Sequence, residues 1–313
     1  MRYPAPLPAQ LGARPFAVAD ADALGVPRAR LRAGDLRIPY RGVRSTDAQP
    51  PSDLLGRCIE YAPRLEPWQF YNDATALALA GAPLPWSVDP NAVHVAAHRP
   101  RREPRIPGVT GHRLQRRDPK LLSHPAGFPV ESPERAWRQA GYSWPLDALV
   151  AAADHLILPR RALCTLDELW HEVEEMGDMR GRILATALRL ARVGSESPKE
   201  TELRLLLSRN GLPEPELNVE LFDDRGTFIA RLDMLYTRWR VAVEYDGRQH
   251  ASDPKQFERD ADRWEAIRQQ GIRLVRILSH HMGGERPQAP VLVGEALWEA
   301  GWRPRPVVER LSV

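Results

Sequence analysis

Residues Val241–Gly247 read Val-Ala-Val-Glu-Tyr-Asp-Gly. The apolar start of this stretch is typical of a buried β-strand, yet two carboxylates, Glu244 and Asp246, lie near its end. The preceding strand-like segment, Thr227–Tyr236, carries Asp233 among apolar residues in the same way. Because burying an unpaired carboxylate is costly, each acid needs a cation or a hydrogen-bond donor beside it. The two strands therefore predict a charged site within an apolar sheet.

The turn between these strands sets the distance between the acids. If Thr237 and Arg238 form a two-residue hairpin turn, Asp233 pairs with Ala242, and Glu244 becomes its diagonal neighbour at roughly 7–8 Å between Cα atoms. Two carboxylates at this separation can share a hard cation such as Mg²⁺, which prefers oxygen ligands. The alternative is that the acids form salt bridges with arginines close in sequence. These arginines are Arg231, Arg240 and Arg248.

Outward from these strands, the sequence predicts the order helix, three strands, helix, strand. A helix begins after Ser197-Pro198, a cap residue followed by a proline in the first turn, and ends at Asn210-Gly211. The remaining elements follow from their periodicity and from their flanking turn residues. They are the strands Leu217–Phe222 and Trp239–Tyr245, the polar helix Gln256–Gln270 and the strand Ile272–Leu278.

Several short motifs lie along these elements. They are Ser197–Thr201 with Leu203-Arg204, Arg231–Asp233, Val243–Gly247 with His250, Asp260 with Arg263, and Gly271–Arg276. On these motifs, the segment from Ser197 to Leu278 resembles the very-short-patch-repair-endonuclease-like family of the PD-(D/E)XK nuclease superfamily. The resemblance implies a restriction-endonuclease-like αβββαβ core.

The resemblance also implies a metal-dependent nuclease site. Asp233 and Glu244 would hold Mg²⁺ or Mn²⁺, and Glu200 would be the acid on the first helix. Asp246 and His250 would complete the catalytic set. The metal would polarise the scissile phosphate and activate a water molecule.

One position departs from the superfamily pattern. Where the usual pattern has Glu-x-Lys, this chain has Glu244-Tyr245-Asp246, so the lysine ammonium group is absent. His250, as a general acid or base, or Arg248, as a charge clamp on DNA, could replace it. Asp260 and Arg263 lie three residues apart on a helix, and form either a surface ion pair or a support for the site.

The N-terminal residues predict a DNA-binding module. Phe16–Asp20 and Ala23–Arg32 form a helix-turn-helix pattern with a turn at Gly25, and Leu36–Val43 follows as the wing. The pattern resembles the winged-helix domain of the abortive-infection type IV antitoxin family. Arginines on the second helix and the wing can reach phosphates or guanine edges. These are Arg28, Arg30, Arg32 and Arg41.

Composition limits the class of protein. The chain has 313 residues, of which 43% are hydrophobic and 27% charged, so it is neither disordered nor built to cross a membrane. Two cysteines cannot form a disulfide framework, and the first residues lack an apolar signal core, so we expect a cytoplasmic protein. The net charge of +3 permits a nucleic-acid partner without requiring one. The stretch from Arg99 to Lys120 is strongly basic, and it is either a solvated loop face or a phosphate-tracking surface.

The sequence thus predicts a multi-domain α/β protein. Its domains would be a winged helix over 1–48, a mixed α/β middle region over 53–193 and a nuclease-like domain over 195–313. The leading hypothesis is a metal-dependent endonuclease that hydrolyses DNA in defence or repair. The alternative is a DNA-binding, antitoxin-like regulator whose nuclease fold is inactive, and RNA remains open as a substrate. DNA is the expected partner, with a homodimer and a toxin or defence-system partner as further hypotheses.

Overall fold

A computed structural model describes residues 4–12, 14–115, 117–247 and 254–304, with the backbone alone for residues 254–260. Within these ranges it is a mixed α/β protein with three open sheets. No helix in the described ranges has the length and apolar character that a membrane span requires.

The bounds of the elements are as follows, in chain order. The strands are β1 (Phe16–Ala17), β2 (Val43–Arg44), β3 (Gln69–Tyr71), β4 (Val93–His98), β5 (Val109–Leu114), β6 (Leu121–Ser123), β7 (Pro129–Glu131), β8 (Glu216–Phe222), β9 (Phe228–Tyr236), β10 (Val241–Asp246) and β11 (Arg273–Leu278). The helices are α1 (Val18–Ala23), α2 (Leu54–Tyr61), α3 (Asp73–Leu79), α4 (Pro133–Ala140), α5 (Leu146–Leu156), α6 (Leu166–Met176), α7 (Ile183–Leu190), α8 (Pro198–Arg209), α9 (Pro254–Gln269), α10 (Ser279–Met282) and α11 (Ala289–Glu299).

The chain divides into two compact units. The first comprises Met1–Pro145 and Leu163–Ala185, and the second comprises Leu146–Ala162 and Thr186–Val313. Helix α5 thus belongs to the second unit, although it lies within the middle region that the sequence suggests. The threefold division at residues 48 and 193 stays a prediction.

The first unit is built on a five-stranded sheet in the order β5-β4-β3-β7-β6. The pairs β4–β5 and β3–β7 are parallel, while β3–β4 and β6–β7 are antiparallel. Strand β5 lies inside the basic stretch Arg99–Lys120, so the solvated-loop alternative is wrong for residues 109–114. Its residues are half-buried or exposed, and they lack the continuous apolar run that marks a buried strand.

The N-terminal residues contain less helix than the predicted helix-turn-helix requires. Strands β1 and β2 pair antiparallel, and α1 follows β1 directly. The expected second helix is only a 3₁₀ helix, Arg30–Arg32, reached through the turn that starts at Pro27. A single 3₁₀ turn presents fewer side chains along one face than the α-helix that we predicted.

The second unit confirms the predicted order αβββαβ, from α8 through β8, β9, β10 and α9 to β11. Its sheet has the order β11-β10-β9-β8, with β10 and β11 parallel and the other pairs antiparallel. Leu203 of α8 and Val293 of α11 belong to one apolar cluster with Val241 and Val243. Ile267 of α9 belongs to a second cluster with Ala242. Since Ala242 alternates with its two neighbours along β10, the two clusters cover opposite faces of the sheet.

A buried ion pair ties α5 to α8 in this unit. Asp154 accepts hydrogen bonds from the Arg204 guanidinium (2.8 Å), the Thr201 hydroxyl (2.8 Å) and the Arg192 backbone N–H (2.7 Å). The side chains of Asp154 and Arg204 are each only 1% exposed. Burial outweighs these donors and raises the pKa of the Asp154 carboxyl. The pair is one of the contacts that join α5 to the second unit.

Candidate active site

The turn between β9 and β10 is longer than predicted, and this moves the two strand acids. The chain forms a 3₁₀ turn over Thr237–Trp239, and Arg240 follows with φ 51°, so four residues connect the strands instead of two. The observed pairs are Val241 with Tyr236, Ala242 with Leu235 and Val243 with Met234. The predicted pairing of Asp233 with Ala242 is therefore wrong by two residues. Continued by one residue, the observed register sets Glu244 level with Asp233 instead of diagonal to it.

The conformation of Arg240 explains the longer turn. Its guanidinium donates to the carbonyl of Gly271 (3.2 Å) and to that of Gln270, both at the end of α9. These contacts hold the Arg240 backbone in the left-handed conformation, which residues other than glycine rarely adopt. Arg240 therefore shapes the hairpin, and is not the salt-bridge partner of the strand acids that the alternative interpretation assigned.

Asp233 lies where the regular ladder between β9 and β10 stops. Its Oδ2 accepts the backbone N–H of Tyr245 at 3.0 Å. Burial raises the pKa of Asp233 to about 7, and the nearby carboxylates of Glu200 and Glu244 act in the same direction. The Tyr245 N–H and the Arg263 guanidinium oppose the rise but do not cancel it. Burial and two negatively charged neighbours therefore all favour the protonated form of Asp233.

Glu200 reaches Asp233 from the first turn of α8. The helix starts at Ser197, whose Oγ accepts the Glu200 N–H at 3.2 Å. The Glu200 carboxylate then turns back, and its Oε2 accepts the Glu196 N–H at 2.8 Å and the Asn218 side-chain amide at 3.4 Å. Glu200 and Asp233 line the same cleft, and the negative charge of Glu200 helps to raise the pKa of Asp233.

Glu244 is buried and is paired with an arginine from α9. Its residue is 7% exposed, and burial raises the pKa of its carboxyl. Arg263 opposes that rise by donating to both carboxylate oxygens, through Nη1 at 3.2 Å and through Nη2. Nη2 also donates to the Arg231 carbonyl at 3.2 Å. Arg263 thus points toward the strand acids, whereas the side chain of Asp260 lies outside the described residues.

Asp246 faces a different cation. It forms an ion pair with Arg276 of β11, whose guanidinium also stacks 3.8 Å from the ring centre of Trp264. Arginines do pair with Glu244 and Asp246, as the alternative interpretation expects, but they are not the arginines that it names. Arg231 pairs with Glu196, while the partners of Glu244 and Asp246 come from α9 and β11. Arg248 and His250 lie outside the described residues.

Two adjoining clefts meet at Asp233. A cleft of about 200 Å³ is lined by Asp233, Glu244, Asp246, Arg263, Trp264 and Arg276, among others. A second of about 420 Å³ is lined by Glu200 and Asn218 as well as by Asp233 and Arg263. Since Asp233 and Arg263 line both, a bound molecule could contact Glu200 and Glu244 through neighbouring openings.

The acids could hold a divalent cation, although they do not form a closed cage. Among the described residues, the single group of three or more ligand side chains whose atoms all lie within 4.8 Å is Asp73, His94 and His112 of the first unit. Glu200, Asp233 and Glu244 are spread more widely. This openness suits Mg²⁺, which is usually bound by one or two carboxylates and keeps several waters. The negative charges of Glu200 and Glu244 near Asp233 would be balanced by a cation bound at Asp233.

The N-terminal arginines differ in their availability. Arg30 forms a two-pronged hydrogen bond with Asp35, at 2.9 and 2.8 Å, and its side chain is 10% exposed. Arg28 lies at the surface with Asp22 3.3 Å away. Arg32 and Arg41 are exposed. The geometry thus leaves Arg28, Arg32 and Arg41 accessible and engages Arg30 within the chain.

Comparison with known proteins yields relatives without a stated activity. The chain is 29% identical over 255 residues to the uncharacterized protein MT2308 of Mycobacterium tuberculosis strain CDC 1551 / Oshkosh, and equally to the uncharacterized protein Rv2248 of strain H37Rv. Each alignment covers 80% of this chain and 88% of the relative. No protein-family model matches the chain, and no solved structure matches it significantly. The alignment is longer than either compact unit, so the similarity extends into both.

Sequence reasoning missed two features of the described residues. The first is the identity of the acid that Arg263 contacts: the sequence offered Arg263 as a possible support for the site, and the structure pairs it with Glu244. The second is the group formed by Asp73, His94 and His112, which come from three elements of the first unit. A histidine inside the apolar run Val93–Ala96 was the available signal, but its partner strand was interpreted as a loop.

Proposed function

We propose that the second unit is a metal-dependent endonuclease that hydrolyses DNA phosphodiester bonds, with a role in defence or repair. The observation that carries the proposal is that Asp233 and Glu244 line one cleft, while Glu200 and Asp233 line the adjoining one. The αβββαβ order and the motif residues agree with the PD-(D/E)XK superfamily. A mixed α/β fold alone would not support an activity, because folds of this class host many functions.

The side chains suggest a division of roles. Mg²⁺ or Mn²⁺ held by Asp233 and Glu244 would polarise the scissile phosphate and lower the pKa of a bound water. The Tyr245 N–H orients the Asp233 carboxylate, and Arg263 orients that of Glu244. Glu200, held by the Glu196 N–H and Asn218, places an acceptor oxygen next to Asp233 that can take a proton from water in the cleft.

Arg263 is proposed to replace the lysine that the sequence lacks. Its guanidinium lines both clefts and carries a positive charge beside Glu244. A fixed cation at this position can stabilise negative charge that develops on a phosphate during hydrolysis. Asp246 is then a supporting residue, because its carboxylate is engaged with Arg276.

The Arg263→Ala variant tests this role. We expect it to slow plasmid nicking by roughly 10²–10³-fold, the usual loss when one preorganised donor is removed. Arg263→Lys should recover part of the rate, because it restores the charge without the two-pronged geometry. Arg268→Ala is the matched control, since Arg268 lies on the same helix and pairs at the surface with Glu265. Equal rates for the Arg263→Ala and Arg268→Ala variants would contradict the assignment.

The nuclease proposal is tested by nicking of supercoiled plasmid and of mismatched duplex. The wild-type chain should cut in Mg²⁺ or Mn²⁺ and not in EDTA. The Glu244→Ala variant should lose cleavage by roughly 10³-fold or more, which corresponds to about 4 kcal/mol of transition-state stabilisation. Asp224→Asn changes an exposed acid in the β8–β9 turn and should cut at the wild-type rate. Cleavage that persists in EDTA would contradict the proposal.

One observation favours a second candidate function, that of a DNA-binding regulator with an inactive nuclease fold. Both oxygens of Glu244 already accept hydrogen bonds from Arg263, so this carboxylate is neutralised without a metal. A regulator should bind duplex DNA in a salt-sensitive manner, through exposed arginines such as Arg32 and Arg41. Salt-sensitive binding without cleavage on either substrate, unchanged by Glu244→Ala, would favour this function.

A further inference from the structure

A second cluster of ligand side chains lies in the first unit, where the sheet brings three elements together. His94 is on β4 and His112 is on β5, and these strands run parallel with His94 paired to Thr110 and Ala96 to His112. Since His112 is two residues beyond Thr110, both histidines lie on the same face of the sheet. Asp73 opens α3 directly after β3, the other neighbour of β4. The cluster is thus fixed by three adjacent strands.

The ligand atoms face one another at short range. His94 Nδ1 lies 2.9 Å from His112 Nε2, and each of these nitrogens lies 4.0 Å from Asp73 Oδ2. Three atoms with these separations share a central point about 2.1 Å from each of them, which matches the Zn–N and Zn–O bond lengths found in proteins. The two imidazole rings are almost parallel, with an interplanar angle of 18°.

The carboxylate has further capacity to bind. Asp73 Oδ1 is buried and has no hydrogen-bond partner among the described residues. A buried carboxylate oxygen without a partner is costly, and coordination to a cation is one of the ways in which that cost is removed. The three side chains are 15–27% exposed, so an ion can enter from solvent.

We infer that Asp73, His94 and His112 bind a transition-metal ion of the zinc class. Two imidazoles and one carboxylate select Zn²⁺ and related first-row ions, whereas Mg²⁺ prefers a set made of oxygens alone. Three protein ligands leave at least one coordination position for water or for a ligand. This site lies in a different unit from Asp233 and does not depend on the proposed nuclease function.

The test is metal titration of the full chain after treatment with a chelator. Zn²⁺ binding is followed by competition with a chromophoric chelator, and Co²⁺ serves as a spectroscopic probe because low-coordinate Co²⁺ absorbs strongly in the visible. We expect one Zn²⁺ per chain at this site and an intense Co²⁺ spectrum. Both should disappear in His112→Ala, with an affinity loss of at least about 100-fold, above the 10–100-fold typical for the loss of an outer contact.

Two further variants keep the test decisive. Asp73→Asn preserves the side-chain shape and should weaken Zn²⁺ binding even if His112→Ala does not fold. His171→Ala removes an exposed histidine of the same unit, which pairs with Glu175, and should bind as the wild type does. Zn²⁺ affinity that is unaffected by both His112→Ala and Asp73→Asn would overturn the inference, and the contact would then be a hydrogen bond between two histidines.

Discussion

The Asp233→Asn variant is expected to be more stable than the wild type at pH 8 in EDTA. In Mg²⁺, the same variant is expected to cleave DNA more slowly than the wild type by roughly 10³-fold or more. Burial, Glu200 and Glu244 raise the pKa of Asp233 from 3.8 to about 7 in the folded protein. A tenfold change in an acid dissociation constant corresponds to about 1.4 kcal/mol. Ionising Asp233 therefore costs the folded state on the order of 4 kcal/mol. Asparagine has the same shape and removes that charge.

The sign of the pH dependence follows from the direction of the pKa change. A raised pKa means that the folded chain binds the proton more tightly than the unfolded chain. The protonated Asp233 carboxyl therefore contributes its full stabilisation of the folded state below pH 3.8, and this contribution is lost as the pH rises through about 7. Between these values the wild type should lose stability relative to Asp233→Asn. Differential scanning calorimetry of both proteins from pH 4 to 8 measures this difference, and parallel profiles would contradict the assigned pKa.

A divalent cation should reverse this difference. Mg²⁺ that binds the folded chain stabilises it by an amount that grows with its concentration. Above pH 7 the wild type should therefore gain thermal stability in Mg²⁺, and Asp233→Asn should gain less. Asp224→Asn, with its acid in an exposed turn, should respond as the wild type does.

The Arg204→Met variant is expected to lose about 3–5 kcal/mol of stability, the usual result of removing one partner of a buried ion pair. Asp154 would then be a buried carboxylate that keeps only the Thr201 hydroxyl and the Arg192 N–H as donors. The double variant Arg204→Met/Asp154→Leu should recover part of the loss, because it leaves no unpaired charge. Chemical denaturation of the full chain, followed by a signal from the second unit, measures the change.

The matched control uses the same two helices. Arg209 of α8 pairs with Asp147 of α5, but these side chains are 49% and 45% exposed. Exposed pairs contribute about 0–1 kcal/mol, so Arg209→Met should be nearly neutral. A loss for Arg204→Met as small as that for Arg209→Met would show that the buried pair does not hold α5 to α8.

The second unit was predictable because its local signals agree with its tertiary structure. The Ser197-Pro198 cap, the Asn210-Gly211 end and the apolar strands each mark an element that the structure contains within two residues of its predicted bounds. The order αβββαβ follows from them. The acids in β9 and β10 stood out because charge inside an apolar strand needs a partner.

The details of the site could not be predicted in the same way. The register depends on Arg240, whose left-handed conformation is held by carbonyls about thirty residues away. The partner of Glu244 depends on which face of α9 meets the sheet, and spacing to Asp260 alone could not decide it. In the first unit, β5 lacks a continuous apolar run, so the neighbour of His94 was missed. Each failure concerns a contact between residues that are distant in sequence.

Mn²⁺ binding is the direct test of whether Asp233 and Glu244 hold a divalent cation. The measurement is Mn²⁺ electron paramagnetic resonance at pH 8 with duplex DNA present, on a chain that carries His94→Ala and His112→Ala so that only the strand site remains. We expect bound Mn²⁺ that is lost when Asp233→Asn is added and kept when Asp224→Asn is added. If Mn²⁺ stays bound with Asp233→Asn, or does not bind the starting protein at all, Asp233 and Glu244 do not form the proposed site.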